Sequence, residues 1–259
     1  MLFTNFMPCP KAIQRIFLFL GILFLGILCL VFFVIFRDKS LYYYEIGVSH
    51  YENGEYDKAV LEFTDALIIN PEYTDAYIYR GCAYNLLGSH ELAVSDFDKA
   101  LKINPESSEA YYNRGLAYSK IGEYDLAISD LTKAIEINPE YVNAYIIRGF
   151  AYYEVGKYDL AISDFTIAIK IDQNNTNAYY NRGYTYYDKG EFNKAVSDFT
   201  KALEINPKDA FAYYNRGITY DKKGEPEKAR KDINKAQSLG FDVPPDILKE
   251  LQETSEKKE

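Results

Sequence analysis

The sequence predicts an all-α chain in which one helix-pair unit is repeated six times, and three observations carry that prediction. Gly47, Gly81, Gly115, Gly149, Gly183 and Gly217 follow one another at 34-residue intervals, and Gly54, Gly88, Gly122, Gly156, Gly190 and Gly224 repeat the register seven residues later. Alanines keep the same period at Ala59, Ala93, Ala127, Ala161, Ala195 and Ala229, and again at Ala66, Ala100, Ala134, Ala168, Ala202 and Ala236. Within one unit, Tyr111, Gly115 and Tyr118 stand at i, i+4 and i+7, as do Ala127, Leu131 and Ala134, so each unit carries two stripes of helical spacing. A period of this length, held without an insertion, means a small unit stacked on its own copies.

Taken in order, residues 1–15 read as an N-terminal tail and residues 16–36 as a transmembrane helix. Ile16–Phe36 holds 21 uncharged residues, about 32 Å as a helix, which matches the roughly 30 Å of a bilayer's hydrocarbon core. Lys11 and Arg15 precede it; Arg37, Asp38 and Lys39 follow. The run is longer than a signal-peptide core and lacks a small-residue cleavage pattern, so a retained single span is expected. Basic residues balance across it, leaving the orientation open with a lean to a cytoplasmic N-terminus.

Residues 40–243 hold the repeats, with units at 40–73, 74–107, 108–141, 142–175, 176–209 and 210–243. In each, a short segment such as Gly122-Glu123-Tyr124 breaks the two stripes into antiparallel helices. Gly115 in mid-helix costs about 1 kcal/mol against alanine, which is reasonable if its missing Cβ admits Tyr124 or a neighbouring helix. Asn70-Pro71, Asn104-Pro105, Asn138-Pro139 and Asn206-Pro207 end the second helices, because proline drives the preceding residue out of the helical region. Gly240 is placed to cap the last one. Residues 244–259 read as a capping helix from Pro245 to about Thr254, with Ile247, Leu248 and Leu251 on one face, and a frayed tail.

The pattern Tyr111-x2-Arg114-Gly115-x2-Tyr118, then Ala127-x3-Leu131, Ala134 and Pro139, resembles the tetratricopeptide repeat. Tyrosine stands where that family has tryptophan, and Gln173 replaces the proline of the fourth unit. The resemblance implies a right-handed superhelical solenoid whose concave face is lined by the first helix of each pair. In phase, that face carries Tyr44, Val48 and Tyr51; Ile78, Cys82 and Asn85; Tyr112, Leu116 and Ser119. It continues with Ile146, Phe150 and Tyr153; Tyr180, Tyr184 and Tyr187; then Tyr214, Ile218 and Asp221. So aromatic a face suits a peptide or helix with apolar anchors: any single tyrosine is expected to pack against others between units, whereas the stripe as a whole is expected to mark an interaction site. Some members of the family clamp acidic C-termini with lysine, asparagine and arginine. Here Asp75, Glu109, Ile78 and Tyr112 stand where basic residues would be needed, and Leu116 and Cys82 where an asparagine would, so that ligand is not expected.

Where the family commonly has leucine before its first glycine, this chain has Arg80, Arg114, Arg148, Arg182 and Arg216. Sixteen residues later come Asp96, Asp130, Asp164, Asp198 and Asp232, while the first unit has Ile46 and Glu62. Each arginine is expected to bond an aspartate across the helix pair or in the next unit, setting register between similar repeats. An arginine ladder for an anionic ligand is disfavoured, because the aspartates neutralise it.

A net charge of −9 argues against nucleic acid. His50 and His90 lack ligand-spaced partners, no phosphate-cradling glycine loop interrupts the repeat phase, and the Ser-Asp pairs have no histidine to complete a triad. No catalytic residue, metal, cofactor or small-molecule substrate is therefore expected, and the chain is not read as an enzyme. The expected function is a membrane-anchored scaffold that binds a protein or peptide in its groove. Its repeats follow the span closely enough to assist assembly of a membrane complex. The alternative is a structural protein whose solenoids stack end to end, which a capping helix would oppose.

Overall fold

The computed structural model describes residues 39–247, all helices and short connections with no strand among them. The chain divides into two compact units, 1–103 and 104–259, each taken by itself. The first holds α1 (39–52), α2 (Tyr56–Ile69), α3 (Thr74–Leu86) and α4 (His90–Ile103). The second holds α5 (Ser108–Lys120), α6 (Tyr124–Ile137), α7 (Val142–Glu154), α8 (Tyr158–Ile171), α9 (Thr176–Asp188), α10 (Phe192–Ile205), α11 (Ala210–Lys222) and α12 (Pro226–Ser238). Helical backbone resumes at Pro245 and reaches Ile247, the last described residue, so Leu248 and Leu251 of the expected capping helix lie outside the described residues.

The single-pass membrane localisation expected from Ile16–Phe36 is corrected. Among the described residues, no helix is long and apolar enough to cross a membrane. The helices α2 to α12 have 13 or 14 residues, about 21 Å at most, against roughly 30 Å of hydrocarbon. Residues 16–36 lie outside the described residues.

The second glycine set stops the first helices. Gly156, at φ +74°, donates its N–H to Tyr153 at 2.9 Å, and Lys157 donates to Tyr152 at 2.8 Å. This pair of bonds satisfies carbonyls that the helix end would otherwise leave open, and the left-handed backbone it needs favours glycine. Gly240, at φ +92°, ends α12 in the same manner, with Phe241 donating to Ala236 at 3.1 Å.

The Asn-Pro pairs stop the second helices. Asn138 is extended (φ −127°, ψ 91°), as the following proline demands, and its Oδ1 accepts from the Glu140 N–H at 3.2 Å. In the fourth repeat, where Gln173 replaces proline, Asp172 keeps the turn by accepting from the Asn174 N–H at 3.0 Å. The next first helix then starts on a capping side chain: Ser107, Asn175 and Asp209 accept from Ala110, Ala178 and Ala212.

The first glycine set answers to packing. A Cβ at Gly115 would lie 2.8 Å from Leu131 Cγ, so the neighbouring helix it admits is α6 of its own pair, through Leu131 and not through Tyr124. Phe63, Phe97, Leu131, Phe165, Phe199 and Ile233 occupy this place in successive repeats, all 0–1% exposed. Gly149→Ala would put Cβ 2.7 Å from Phe165 Cε1, whereas Gly183→Ala meets its nearest atoms at 3.2 Å. Overpacking costs about 1–3 kcal/mol and alanine returns about 1 kcal/mol of helix propensity. Gly149→Ala should therefore lower the thermal midpoint, and Gly183→Ala should shift it less. Equal shifts in thermal denaturation would contradict this packing account.

In residues 104–247 the first helices of successive repeats touch (α5 with α7, α7 with α9, α9 with α11), and no comparable contact joins successive second helices. A stack that brings its first helices together curves towards them, so α5, α7, α9 and α11 line its inner side. At its C-terminal end, Phe241 packs on Phe211 and Tyr214 with centroids 5.0 and 4.5 Å apart, and Val243 is 4% exposed against Ala229 and Ile233.

Candidate protein-binding face

The five arginines and five aspartates meet in pairs within their own repeats. Nε donates to Oδ2 at 2.7 Å in Arg80–Asp96, 2.7 Å in Arg114–Asp130, 2.8 Å in Arg148–Asp164, 2.7 Å in Arg182–Asp198 and 2.6 Å in Arg216–Asp232. A second bond, Nη2 to Oδ1, makes each pair bidentate. The aspartates are buried, 3–6% exposed. Burial alone would lower Arg80, Arg148 and Arg216, but their bonds to the aspartates more than offset it and hold them above the usual arginine value.

Sequence reasoning missed the third partner. Nη1 of Arg80, Arg148, Arg182 and Arg216 donates to Thr64, Thr132, Thr166 and Thr200 of the preceding repeat at 2.8–3.0 Å. Each threonine stands 16 residues before its arginine, mirroring the aspartate 16 residues after it. Tyr77, Tyr111, Tyr145, Tyr179 and Tyr213 lie under the guanidinium groups at 5.5–5.8 Å. In these four repeats the arginine thus bridges to the preceding repeat, while its charge is met by the aspartate of its own.

The aromatic positions divide. In the first unit, Tyr44 lies 4.8 Å from Tyr73 and 5.7 Å from Tyr79, Tyr51 lies between Tyr56 and Tyr79, and Ile78 is 5% exposed. In the second unit, Tyr112 packs on Tyr141 at 4.7 Å, Tyr187 on Phe192 at 5.7 Å and Tyr214 on Phe241. Open space gathers at the remaining positions. Phe150, Tyr153, Tyr180 and Tyr184 line a cavity of about 270 Å³, floored by Phe165. Leu116, Ile146 and Phe150 line a neighbouring one of about 410 Å³. Phe150 and Asn181 belong to both.

For Tyr44, Tyr112 and Tyr180, which share one place in the repeat, a signal for this division lies 29 residues downstream. Tyr44 and Tyr112 are covered by Tyr73 and Tyr141, whereas the residue in register for Tyr180 is Asp209, whose side chain caps α11. The asparagines were also missed: Asn177 and Asn181 line the cavities, and Asn215 donates to the Tyr180 hydroxyl at 2.9 Å.

Burial raises Tyr180 to about 12, with smaller contributions from Tyr184 and Asp209. Burial first, then its bond to Asp188, raises Tyr153 further. These phenols remain neutral hydrogen-bonding groups at physiological pH. The face offers aromatic walls, phenols, amides and carboxylates. Among the described residues, no group of three histidine, cysteine or acidic side chains is placed to hold a metal.

Comparison with known proteins agrees with the repeated helix pairs. Tetratricopeptide repeat models match residues 40–73, 108–141, 176–209 and 199–231, and a TPR repeat model matches 81–122 and 149–190. No curated protein matches the sequence. Among solved structures the chain is similar to YrrB, described as a TPR protein with an unusual peptide-binding site, at 28% identity over 69% of this chain and 92% of that one, with a TM-score of 0.58. It is similar to MamA from Desulfovibrio magneticus at 25% identity over 66% and 97%, TM-score 0.62, and to a tetratricopeptide repeat protein from Parabacteroides merdae at 27% over 83% of each, TM-score 0.62. Helix pairs of one length, closed by the same glycine turn and matched by repeat models over most of residues 40–231, make this chain a member of the tetratricopeptide repeat family.

Proposed function

We propose that the chain is a protein-interaction scaffold that takes a peptide or helix of a partner on the first-helix face of residues 104–247. The observation that carries this reading is the pair of adjoining cavities sharing Phe150 and Asn181. Phe150 and Tyr184, at their rim, are 37% and 36% exposed. Large aromatic groups left open beside recesses favour a partner that completes their packing. The peptide-binding site described for YrrB supports the same use of the fold. End-to-end stacking is the weaker reading, since Phe241 and Val243 cover the last helix pair.

In the full chain, Tyr180→Ala with Tyr184→Ala should abolish partner capture, because aromatic anchors commonly contribute about 2 kcal/mol or more each. Circular dichroism would establish that the variant keeps its helices. A folded variant that captures the same partners as the wild type would overturn the reading.

A further inference from the structure

We propose that the open side of α9, from Asn177 to Asp188, selects an extended peptide with a large apolar residue and a lysine or arginine two positions from it. This rests on the groove reading above and narrows its ligand. Asn177, Asn181, Tyr184 and Asp188 stand at i, i+4, i+7 and i+11 on α9. They span about 16 Å at 1.5 Å per residue, the length of about five residues of extended chain.

The asparagines argue for an extended ligand. Among the described residues, no hydrogen bond engages the side-chain amide of Asn177 or Asn181, although both line the cavities. By contrast Asn215, in register with Asn181, donates to the carbonyl of Phe211 and to Tyr180. A carboxamide offers two donors and an acceptor. A helix has already used its backbone groups internally, whereas an extended chain presents free N–H and C=O groups along its length. The unspent amides therefore match an extended backbone, and the recess beside Tyr184 accepts one large apolar side chain.

The charge argues for a basic neighbour. Glu154 is the one charged residue lining the smaller cavity, and Glu154 and Asp188 are the last residues of α7 and α9. Helix C-termini carry partial negative charge, which adds to that of the two carboxylates. Tyr153 donates to Asp188, and Tyr124 donates to Glu154 at 3.5 Å. Among the described residues, neither acid has an ion-pair partner, and nearby Lys189 is spent on Asp159 and Glu191. From Tyr184 to Asp188 is about 6 Å along the helix, two residues of extended chain.

The test is binding of the full chain to an array of acetylated, amidated decapeptides with leucine, phenylalanine or tyrosine fixed at the centre and every other position varied. On one side of the anchor, two positions away, lysine and arginine should be favoured over acidic residues about tenfold, as two partly exposed pairs and two helix termini allow. That preference should shrink with added salt and vanish with Glu154→Gln plus Asp188→Asn. Asn181→Leu should weaken every peptide regardless of charge. No bound peptide, no basic preference, a preference that survives the acid substitutions, or indifference to Asn181→Leu would each overturn the proposal. If Tyr180→Ala with Tyr184→Ala loses partner capture while the array shows no basic preference, the groove reading stands and this inference falls. If that variant reads the array as the wild type does, both fall.

Discussion

Arg182→Ala should destabilise residues 104–247 by about 3–5 kcal/mol, and Asp198→Ala should cost distinctly less. The two side chains share the same bonds but not the same surroundings. Asp198 is 5% exposed, and Arg182 is its ion-pair partner at 2.7 Å. Removing the arginine strands a desolvated carboxylate. Arg182 has 16% of its side chain exposed, bonds Thr166 at 2.9 Å and lies over Tyr179 at 5.8 Å. Without Asp198 it keeps those contacts and can turn towards water. Replacing both by apolar residues of similar volume should recover much of the loss, since burying an ion pair gains little over burying hydrocarbon. Denaturant midpoints for the two single variants and for Arg182→Met with Asp198→Leu provide the check. Equal losses in the single variants would contradict the asymmetry. Arg182 also reaches into the preceding repeat through Thr166, so hydrogen exchange should show weakened protection in α8 as well as in α9 and α10.

Phe165→Ala should cost about 3–5 kcal/mol and also impair partner capture. The ring is 1% exposed, lies against the Cβ-less face of Gly149 and floors the cavity between Phe150 and Tyr184. Truncation removes the buried transfer energy and leaves a void that the fully buried Ala151, Ala161 and Ala168 of the same core are too short to fill. The void would open into the binding recess, so the recess deepens and its aromatic walls lose their support. Phe165→Leu should cost less, because leucine already serves at the equivalent Leu131, which is 0% exposed. Thermal denaturation of both variants, with partner capture on the more stable one, tests the account. A loss below 1 kcal/mol for Phe165→Ala would mean the core collapses around the site.

Much of this fold was legible because it is local. A helix pair depends on spacings of three, four and seven residues, and a glycine turn on backbone that few other residues adopt. The pairing of Arg80 with Asp96 was legible for a related reason. A constant 16-residue separation, repeated in register, is readable once both helices are assigned. Thr64, the arginine's other partner, obeys the same spacing in the opposite direction, but a threonine on a helix has many uses and draws no attention until the guanidinium is seen beside it.

The aromatic stripe was legible as a stripe and illegible as a site. Tyr112 and Tyr180 hold the same place in their repeats; one is covered by Tyr141 and the other borders open space. At this place, whether the tyrosine is covered depends on the residue 29 positions later, on the following repeat. The sequence by itself determined the repeated helix pair, its glycine and proline punctuation, and the register of charge, because these rest on the periodicity of one chain segment. Only the tertiary structure decided which Gly and Phe meet, which asparagines stay unspent, and where the row of tyrosines opens. Those outcomes depend on the sizes of side chains that meet across separate helices, and closeness in space between repeats is not written in spacing along the chain.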